Sequence, residues 1–247
     1  MKNLVLAALI IGLTFKVTAQ QEAMFTHYSF NTLGVNPGYA GSRDALTVTG
    51  LHRSQWVSFP GAPVTQTLTL HAPIFNEKIG LGASFINDKI GPTKSTGFFV
   101  DFAYKIQVGD KGKLAFGLKG GLNVVGTDLA SLTTIEGGDP NFQTSIQSQL
   151  LPNFGFGLYY SLPRFYAGIS TPRLLQNKFE TSSTSGGTNA AFEARHYYFI
   201  AGTIFNLTEN GNLKLKPTTF IKVTAAAPVE VDLTALFYYK DFLWAGP

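Results

Sequence analysis

The sequence predicts an all-β fold: an antiparallel up-and-down transmembrane β-barrel. Three observations carry that prediction. Side chains alternate with a period of two along successive stretches of about 8–14 residues, which is strand patterning. Charged residues make up only 14% of the chain, against roughly 25% in soluble domains. Short and long connections alternate between the stretches, as they do in outer-membrane barrels.

Composition narrows the class further. The 247 residues are 45% hydrophobic and include 26 Gly and 21 Phe, which argues against disorder and against a cytosolic enzyme. There is no cysteine, so disulfides, thiolate metal sites, a thiol nucleophile and a lipoprotein anchor are excluded. The isoelectric point near 9.2 has no clear partner attached. Without Lys2 and Lys16 of the leader, the 19 basic residues become 17 against 15 acidic ones, too slight a bias to point to nucleic acid.

The chain opens with "MKNLVLAALIIGLTFKVTAQ". Lys2 is a charged start, Leu4 to Phe15 an apolar run too short to span a bilayer comfortably, and Val17-Thr18-Ala19 a small-residue cleavage site. Residues 1–19 therefore read as a secretory signal peptide. Residues 20–44 read as an ordered but irregular periplasmic or plug-like segment, because "NTLGVNPGYAGS" gathers the turn formers Asn36-Pro37, Gly38 and Gly41. That segment has two possible roles: it plugs the barrel or meets a periplasmic partner, or it only leads the chain into the first strand.

Residues 45–247 read as the barrel. Strands are expected near 45–56, 64–74, 78–87, 95–107, 112–125, 152–161, 164–172, 195–206, 213–224 and 229–239, with an eleventh beginning near Phe242. In the second, Leu68, Leu70 and Ala72 are expected to face lipid, and Thr67, Thr69 and His71 the lumen. In the fourth, Phe98, Val100, Phe102, Tyr104 and Ile106 oppose Asp101, Ala103, Lys105 and Gln107. In the fifth, Leu114, Phe116, Leu118, Leu122 and Val124 oppose Ala115, Gly117, Lys119, Gly121 and Asn123. In the tenth, Val229, Val231, Leu233, Ala235, Phe237 and Tyr239 oppose Glu230, Asp232, Thr234, Leu236 and Tyr238. The less apolar face is rich in Gly, Ala, Ser and Thr, which suits a crowded barrel interior better than a solvated exterior. Aromatics near strand ends, at Trp56, Phe75, Tyr104, Tyr159, Tyr160 and Tyr239, match interfacial girdles.

The short connections are "FNE", "GDKG", "LP", "TENGN" and "KD". The long ones are "VSFPGAP", "NDKIGPTK", the segment near 126–151 and the segment near 173–194; "TAAAPV" is the short exception. Lipid offers the backbone no hydrogen bonds, so the sheet must close. About 10–11 strands are legible, and an even number is the rule, so about 12–14 strands are expected in a complete protein whose last strands are missing here.

The expected lumen carries the charges Asp101, Lys105, Lys119, Lys222, Glu230 and Asp232, beside inward Phe99, Tyr159 and Leu236. Mixed signs and bulky side chains describe a filled interior rather than an open pore. Gly80-x-Gly82 and Gly155-x-Gly157 lie inside strands, where Gly permits close packing or a bend, so they are not phosphate loops. No catalytic set assembles from His27, His52, His71 and His196; His52 and Ser54 share a strand face without a partner carboxylate. The loop Glu136 to Asn141, "EGGDPN", has oxygen ligands for calcium but reads as an ordinary turn.

Several stretches together resemble a known family. They are the opening "EAMFTHYSFNTLGVNPGYAGSRDALTVTGLHRSQW", then "PGAPVTQTLTLHAP", "GLGASFINDKIGP" and "LPNFGFGLYYSLPRFYAGISTPRLL". The carrying residues are Asn36, Pro37, Tyr39, Ala40 and Gly41; Arg53, Gln55, Trp56, Pro60 and Gly61; and Asn87, Asp88 and Gly91. This chain resembles the PorP/SprF family of type IX secretion system membrane proteins from Bacteroidota. The resemblance implies an integral outer-membrane barrel; the lack of a legible catalytic constellation leads to the expectation of no enzyme and no cofactor. It implies type IX secretion components, or a secreted surface adhesin of the kind used in gliding, as partners, with outer-membrane lipid around the barrel. No nucleic acid and no small-molecule substrate is indicated. Loops 126–151 and 173–194 and the motif residues are the expected partner-binding surfaces. The competing expectation is a porin or hydrophobic-solute transporter.

Overall fold

The computed structural model describes residues 28–131, 146–182, 188–225, 227–240 and 242–246. A one-turn helix α1 (Thr32–Val35) and a 3₁₀ turn (Pro37–Tyr39) precede the strands. The strands are β1 (Thr47–Ser54), β2 (Val64–Ile74), β3 (Ile79–Ile90), β4 (Thr93–Val108) and β5 (Gly112–Thr127). They continue as β6 (Ile146–Ser161), β7 (Phe165–Thr171), β8 (Lys178–Ser182), β9 (Thr188–Phe192) and β10 (His196–Thr203). The last are β11 (Phe205–Asn206), β12 (Leu213–Thr224), β13 (Ala227–Tyr239) and β14 (Leu243–Ala245).

Twelve of these strands form one antiparallel sheet in the order β1-β2-β3-β4-β5-β6-β7-β10-β12-β13-β14, with β11 beside β12. The strands β8 and β9 form a separate two-stranded ribbon. Neighbours in sequence are neighbours in space, so the sheet is of the up-and-down kind expected from the alternation. Among the described residues, its edge strands β1 and β14 do not pair with each other. No described helix is long and apolar enough to cross a membrane.

The polarity of the sheet is reversed relative to a soluble fold. Its outer face exposes Leu70, Phe98, Val100, Phe116, Leu122, Phe154 and Ile169. Its inner face buries Thr69, His71, Ser84, Asp101, Lys119 and Asn153. Leu118 is 62% exposed while its neighbour Lys119 is 5% exposed. In water such an exterior is an aggregation surface; in lipid it is the expected band of a barrel.

Contacts of the N-terminal segment reveal how far the sheet curls. Phe30 packs on Trp244 of β14 with ring centroids 4.8 Å apart, and the next residue, Asn31, accepts a 3.0 Å hydrogen bond from Thr69 of β2. Tyr28 lies within 3.3 Å of Thr218 on β12 and 3.4 Å of Thr234 on β13. Laid flat, β2 and β13 would stand about 38 Å apart at roughly 4.8 Å per strand. Side chains three residues apart cannot bridge that gap, since three residues extend about 10 Å at most. The sheet is therefore rolled almost into a cylinder, with residues 28–41 inside it.

The structure differs from the sequence expectation at three connections and at one side chain. The "NDKIGPTK" connection is mostly strand: β3 and β4 are joined by Gly91 and Pro92 alone. Polar cross-strand pairs, Thr65 with Asp88 and Thr96 with Asn87, carry the ladder past the band of exposed apolar side chains, where alternation no longer separates an apolar face from a polar one. For the same reason β5 runs on to Thr127 and β6 begins at Ile146, which shortens the loop expected at 126–151. The loop expected at 173–194 contains the β8–β9 ribbon. Tyr159 does not belong to an outer girdle: it is buried in the lumen, and the alternation of its own strand puts it there with Asn153.

Substituting Leu118 with Arg places a charge mid-strand on the outer face. Unfolding measured in lipid vesicles should register a loss of about 2–4 kcal/mol, whereas an outer face exposed to water would tolerate the change within about 0.5 kcal/mol.

Candidate functional site: the lumen and its two closures

The first closure is residues 28–41. Asn31 through Pro37 are buried almost completely, although they belong to no sheet. What admits a chain segment there is a row of small residues in one register. Gly80 on β3 pairs with Ala103 on β4, Ala103 with Gly117 on β5, Gly117 with Gly157 on β6, and Gly157 with Ser170 on β7. A Cβ on Gly80 would run into the Ala40 carbonyl, one on Gly117 into the Pro37–Gly38 peptide, and one on Gly157 into the Asn36 amide. The Asn36–Gly41 segment thus lies across a shallow groove cut through five strands.

Polar contacts fix the segment in that groove. Asn36 Oδ1 accepts from the Gly38 N–H at 2.8 Å, and its Nδ2 donates to the Leu158 carbonyl at 3.0 Å. Ser170 donates to the Val35 carbonyl at 2.7 Å. Lys119 reaches the Leu33 carbonyl at 3.3 Å, and Lys105 reaches the Gly41 carbonyl. The Gly41 N–H donates to His71 Nδ1 at 3.1 Å, which puts the proton of a neutral ring on Nε2. Gly41 itself has φ of +62°, a conformation natural to glycine. Aromatic contacts fill the remaining space: Tyr28 stacks on Phe220 at 4.4 Å, and Tyr39 meets the edges of His71 and Tyr159, each at 5.3 Å.

The second closure comes from the opposite end of the lumen. Pro172 seats on Gly155, whose Cβ would strike the proline carbonyl. Arg173 then turns inward, 5.4 Å over the Phe99 ring, and pairs with Glu193 at 2.8 Å. Asn153 and Asn177 donate to the other Glu193 oxygen at 3.1 and 2.9 Å. Asn153 Oδ1 also accepts from the Leu175 N–H at 3.0 Å. This latch was not anticipated from the sequence; its only signal was an Arg and a Glu flanking a segment read as solvated loop.

Between the closures lies a buried ion pair. Asp101, 0% exposed, stands 3.1 Å from Lys119, and Ser84 donates to the other Asp101 oxygen at 3.4 Å. Lys119 also sits 5.6 Å from the Phe99 ring. Going down β4, Phe99 meets Arg173, Asp101 meets Lys119, Ala103 belongs to the small-residue row, and Lys105 holds Gly41. Each level of this strand is filled.

Of the other expected lumen charges, Lys222 is buried and pairs with Glu230 at 3.4 Å. Asp232 pairs in register with buried Phe220 and so shares the inner face, yet it is exposed. The reason is local: β14 flanks β13 only over Phe237–Tyr239, which leaves the Asp232 stretch of β13 uncovered among the described residues.

The motif residues divide into two groups at opposite ends of β2. Asn36, Pro37, Tyr39, Ala40 and Gly41 lie inside the lumen, with Gly41 against Ala72 and Pro73. Arg53, Gln55, Trp56, Pro60, Gly61, Asn87, Asp88 and Gly91 gather about the other end, where the Gly91 N–H donates to the Gly61 carbonyl at 2.8 Å. There residues 55–63 fold on themselves through Gln55 to Pro63, Phe59 to Trp56 and Ala62 to Phe59 backbone bonds. The resulting knob exposes Trp56, Val57 and Phe59, with Trp56 and Ser58 both at positive φ.

No catalytic arrangement is visible among the described residues. His52 Nε2 and Ser54 Oγ lie 3.0 Å apart on an exposed face, and no described carboxylate hydrogen-bonds to His52. No three His, Asp or Glu side chains gather to hold a metal among the described residues. His27 and the Glu136–Asn141 loop lie outside the described residues.

A scan against protein-family models matches residues 17–247 to the family described as type IX secretion system membrane protein PorP/SprF. A search of curated proteins finds no match.

The small-residue row makes Gly117→Val the most informative change at the first closure. It should leave the strands assembled and expel residues 28–41, so that limited proteolysis of the protein in micelles cuts at Tyr28, Phe30 or Tyr39, sites protected in the parent chain. The ion pair gives a second test. Asp101→Ala strands Lys119 without its partner and should cost about 3–5 kcal/mol in unfolding experiments, while Asp101→Leu with Lys119→Met recovers most of that loss.

Proposed function

The chain belongs to the PorP/SprF family of type IX secretion system membrane proteins, and from that premise we propose that it serves as a non-enzymatic outer-membrane docking barrel. It supports the secretion or surface attachment of a partner protein, such as an adhesin used in gliding. The observation that carries this reading is the doubly closed lumen. A barrel whose bore is occupied by its own residues 28–41 and by Pro172 and Arg173 works through the surfaces it presents rather than by conducting solutes.

The presenting surface is the long-loop end, which faces outward in barrels of this connectivity. The Trp56–Val57–Phe59 knob supplies rigid apolar anchors of the kind that dominate protein interfaces. Its backbone is bonded internally and tied to Gly91, so little ordering is needed on binding. The segments expected as loops, 126–151 and 173–194, are offered as further partner contacts.

Deleting the gene should abolish surface display of the partner, and complementation with Trp56→Ala plus Phe59→Ala should restore the barrel to the membrane without restoring display. Planar-bilayer recordings on the purified protein should give little steady current. Large open-channel current from the parent protein, with normal display in the deletion strain, would establish a porin instead.

A further inference from the structure

Register places the Asp101–Lys119 pair between the two closures, in one row across four strands. Gly82 on β3 pairs with Asp101 on β4, Asp101 with Lys119 on β5, and Lys119 with Gly155 on β6. The glycines at the two ends of the row are covered by different closures. A Cβ on Gly82 would meet the Leu33 side chain of the first closure at 3.0 Å, and one on Gly155 would strike Pro172 of the second. On β6 the closures dock at consecutive inward positions, Pro172 on Gly155 and Asn36 on Gly157, about 7 Å apart along the strand.

Two further contacts lead from the pair, one to each closure. Lys119 Nζ lies 3.3 Å from the Leu33 carbonyl. It also lies 5.6 Å from the Phe99 ring, over which Arg173 sits at 5.4 Å. Glu193, Arg173, Phe99, Lys119 and Leu33 thus form an unbroken series of contacts from the long-loop end to the plug.

The physical consequence concerns water. The attraction within an ion pair weakens steeply as water reaches it. This pair is buried, with Leu33 over one end of its row and Pro172 over the other. Withdrawing Pro172 and Arg173 uncovers the Gly155 end, which is the Lys119 side. Water there solvates the ammonium, competes with the Leu33 carbonyl for it and weakens its attraction to Asp101. Residues 28–41 then lose one of the contacts that fix them.

We infer that Pro172 and Arg173 form a lid whose lifting loosens residues 28–41, so that the barrel transmits engagement at its long-loop rim to its short-turn end. Arg173 and Glu193, which hold the lid down, flank the β8–β9 ribbon, and the Glu193 N–H donates to the Asn177 carbonyl at 2.9 Å at the ribbon's base. A pull on the ribbon therefore bears on both partners of the latch. The inference rests on the docking reading above for what lifts the lid, and adds what the lifting does. A partner that binds the raised lid better than the lowered one shifts the population, and linkage makes a released plug favour the raised lid in return.

The experiment uses the full chain folded in an uncharged detergent, with no partner added. It reads the rate at which chymotrypsin cuts at Tyr28, Phe30 or Tyr39, and gel mobility checks that each variant folds. Glu193→Ala frees the lid and should speed cutting by about ten-fold. Should that variant fail to fold, Arg173→Gln carries the same test. Glu77→Gln, which breaks an exposed pair with Lys113 at the short-turn end, should leave the rate unchanged. In a chain carrying Asp101→Leu and Lys119→Met, freeing the lid should add less than about two-fold, because no ion pair is left for water to weaken. Should the apolar pair itself release residues 28–41, salt decides instead. Raising it from about 0.05 M to about 1 M should speed cutting in the lid variant, relative to a free peptide substrate, and leave the parent unchanged. An unchanged rate in the lid variant overturns the coupling. So does a rise of about ten-fold in the apolar background, or a lid variant indifferent to salt, since the closures are then not linked through the pair. Either failure leaves the docking reading standing, because that is read from the deletion strain.

Discussion

The structure depends on one steric constraint: a chain segment must fit inside a sheet that has curled around it. An eleven-strand path closes most of a circle, and its bore is narrow enough that backbone can cross it only where inward side chains are missing. The row from Gly80 through Ala103, Gly117 and Gly157 to Ser170 is that crossing. Each glycine on its own is a weak strand residue that packs nothing. Aligned by the register, they make room for Asn36–Gly41, whose burial compensates for their poor strand propensity.

The charges inside follow from the same arrangement. A plug made of irregular backbone carries carbonyls and N–H groups that no ladder satisfies, and unpaired buried groups are costly. The lumen supplies partners for them: Lys119 for Leu33, Lys105 for Gly41, Ser170 for Val35, His71 for the Gly41 N–H. Lys119 in turn needs a counter-charge away from water, and Asp101 provides it. Buried ions of this kind are weak stabilisers compared with well-packed apolar groups. Their hydrogen bonds hold the plug at this position through the Leu33 and Gly41 carbonyls.

Much of this was legible in residue order. The period of two located the strands, and the low charge with its Leu and Phe rows pointed to the apolar outer face that those residues form. Strand ends were lost where pairs such as Thr65–Asp88 continue beyond the apolar belt, since alternation signals burial and not pairing. The inward charges Asp101, Lys105, Lys119 and Lys222 were readable from parity alone. Their partners were not, because Leu33 and Lys119 are joined only by a register that spans the sheet. The Arg173–Glu193 latch escaped for a related reason: a charged residue in a loop looks solvated until the loop is known to turn inward.

Parity also explains why the motif splits in two. A strand connects the ends of a barrel, so residues close in sequence at the N-terminus, Asn36–Gly41 and Arg53–Gly61, end up separated by the length of β2. One group is spent on filling the bore, the other on shaping the rim. Both groups adjoin β2: Gly41 rests on Ala72 and Pro73 at one end, while the 55–63 knob is its direct continuation at the other. The plug and the rim knob thus stand at the two ends of one strand, in a lumen built around backbone contacts.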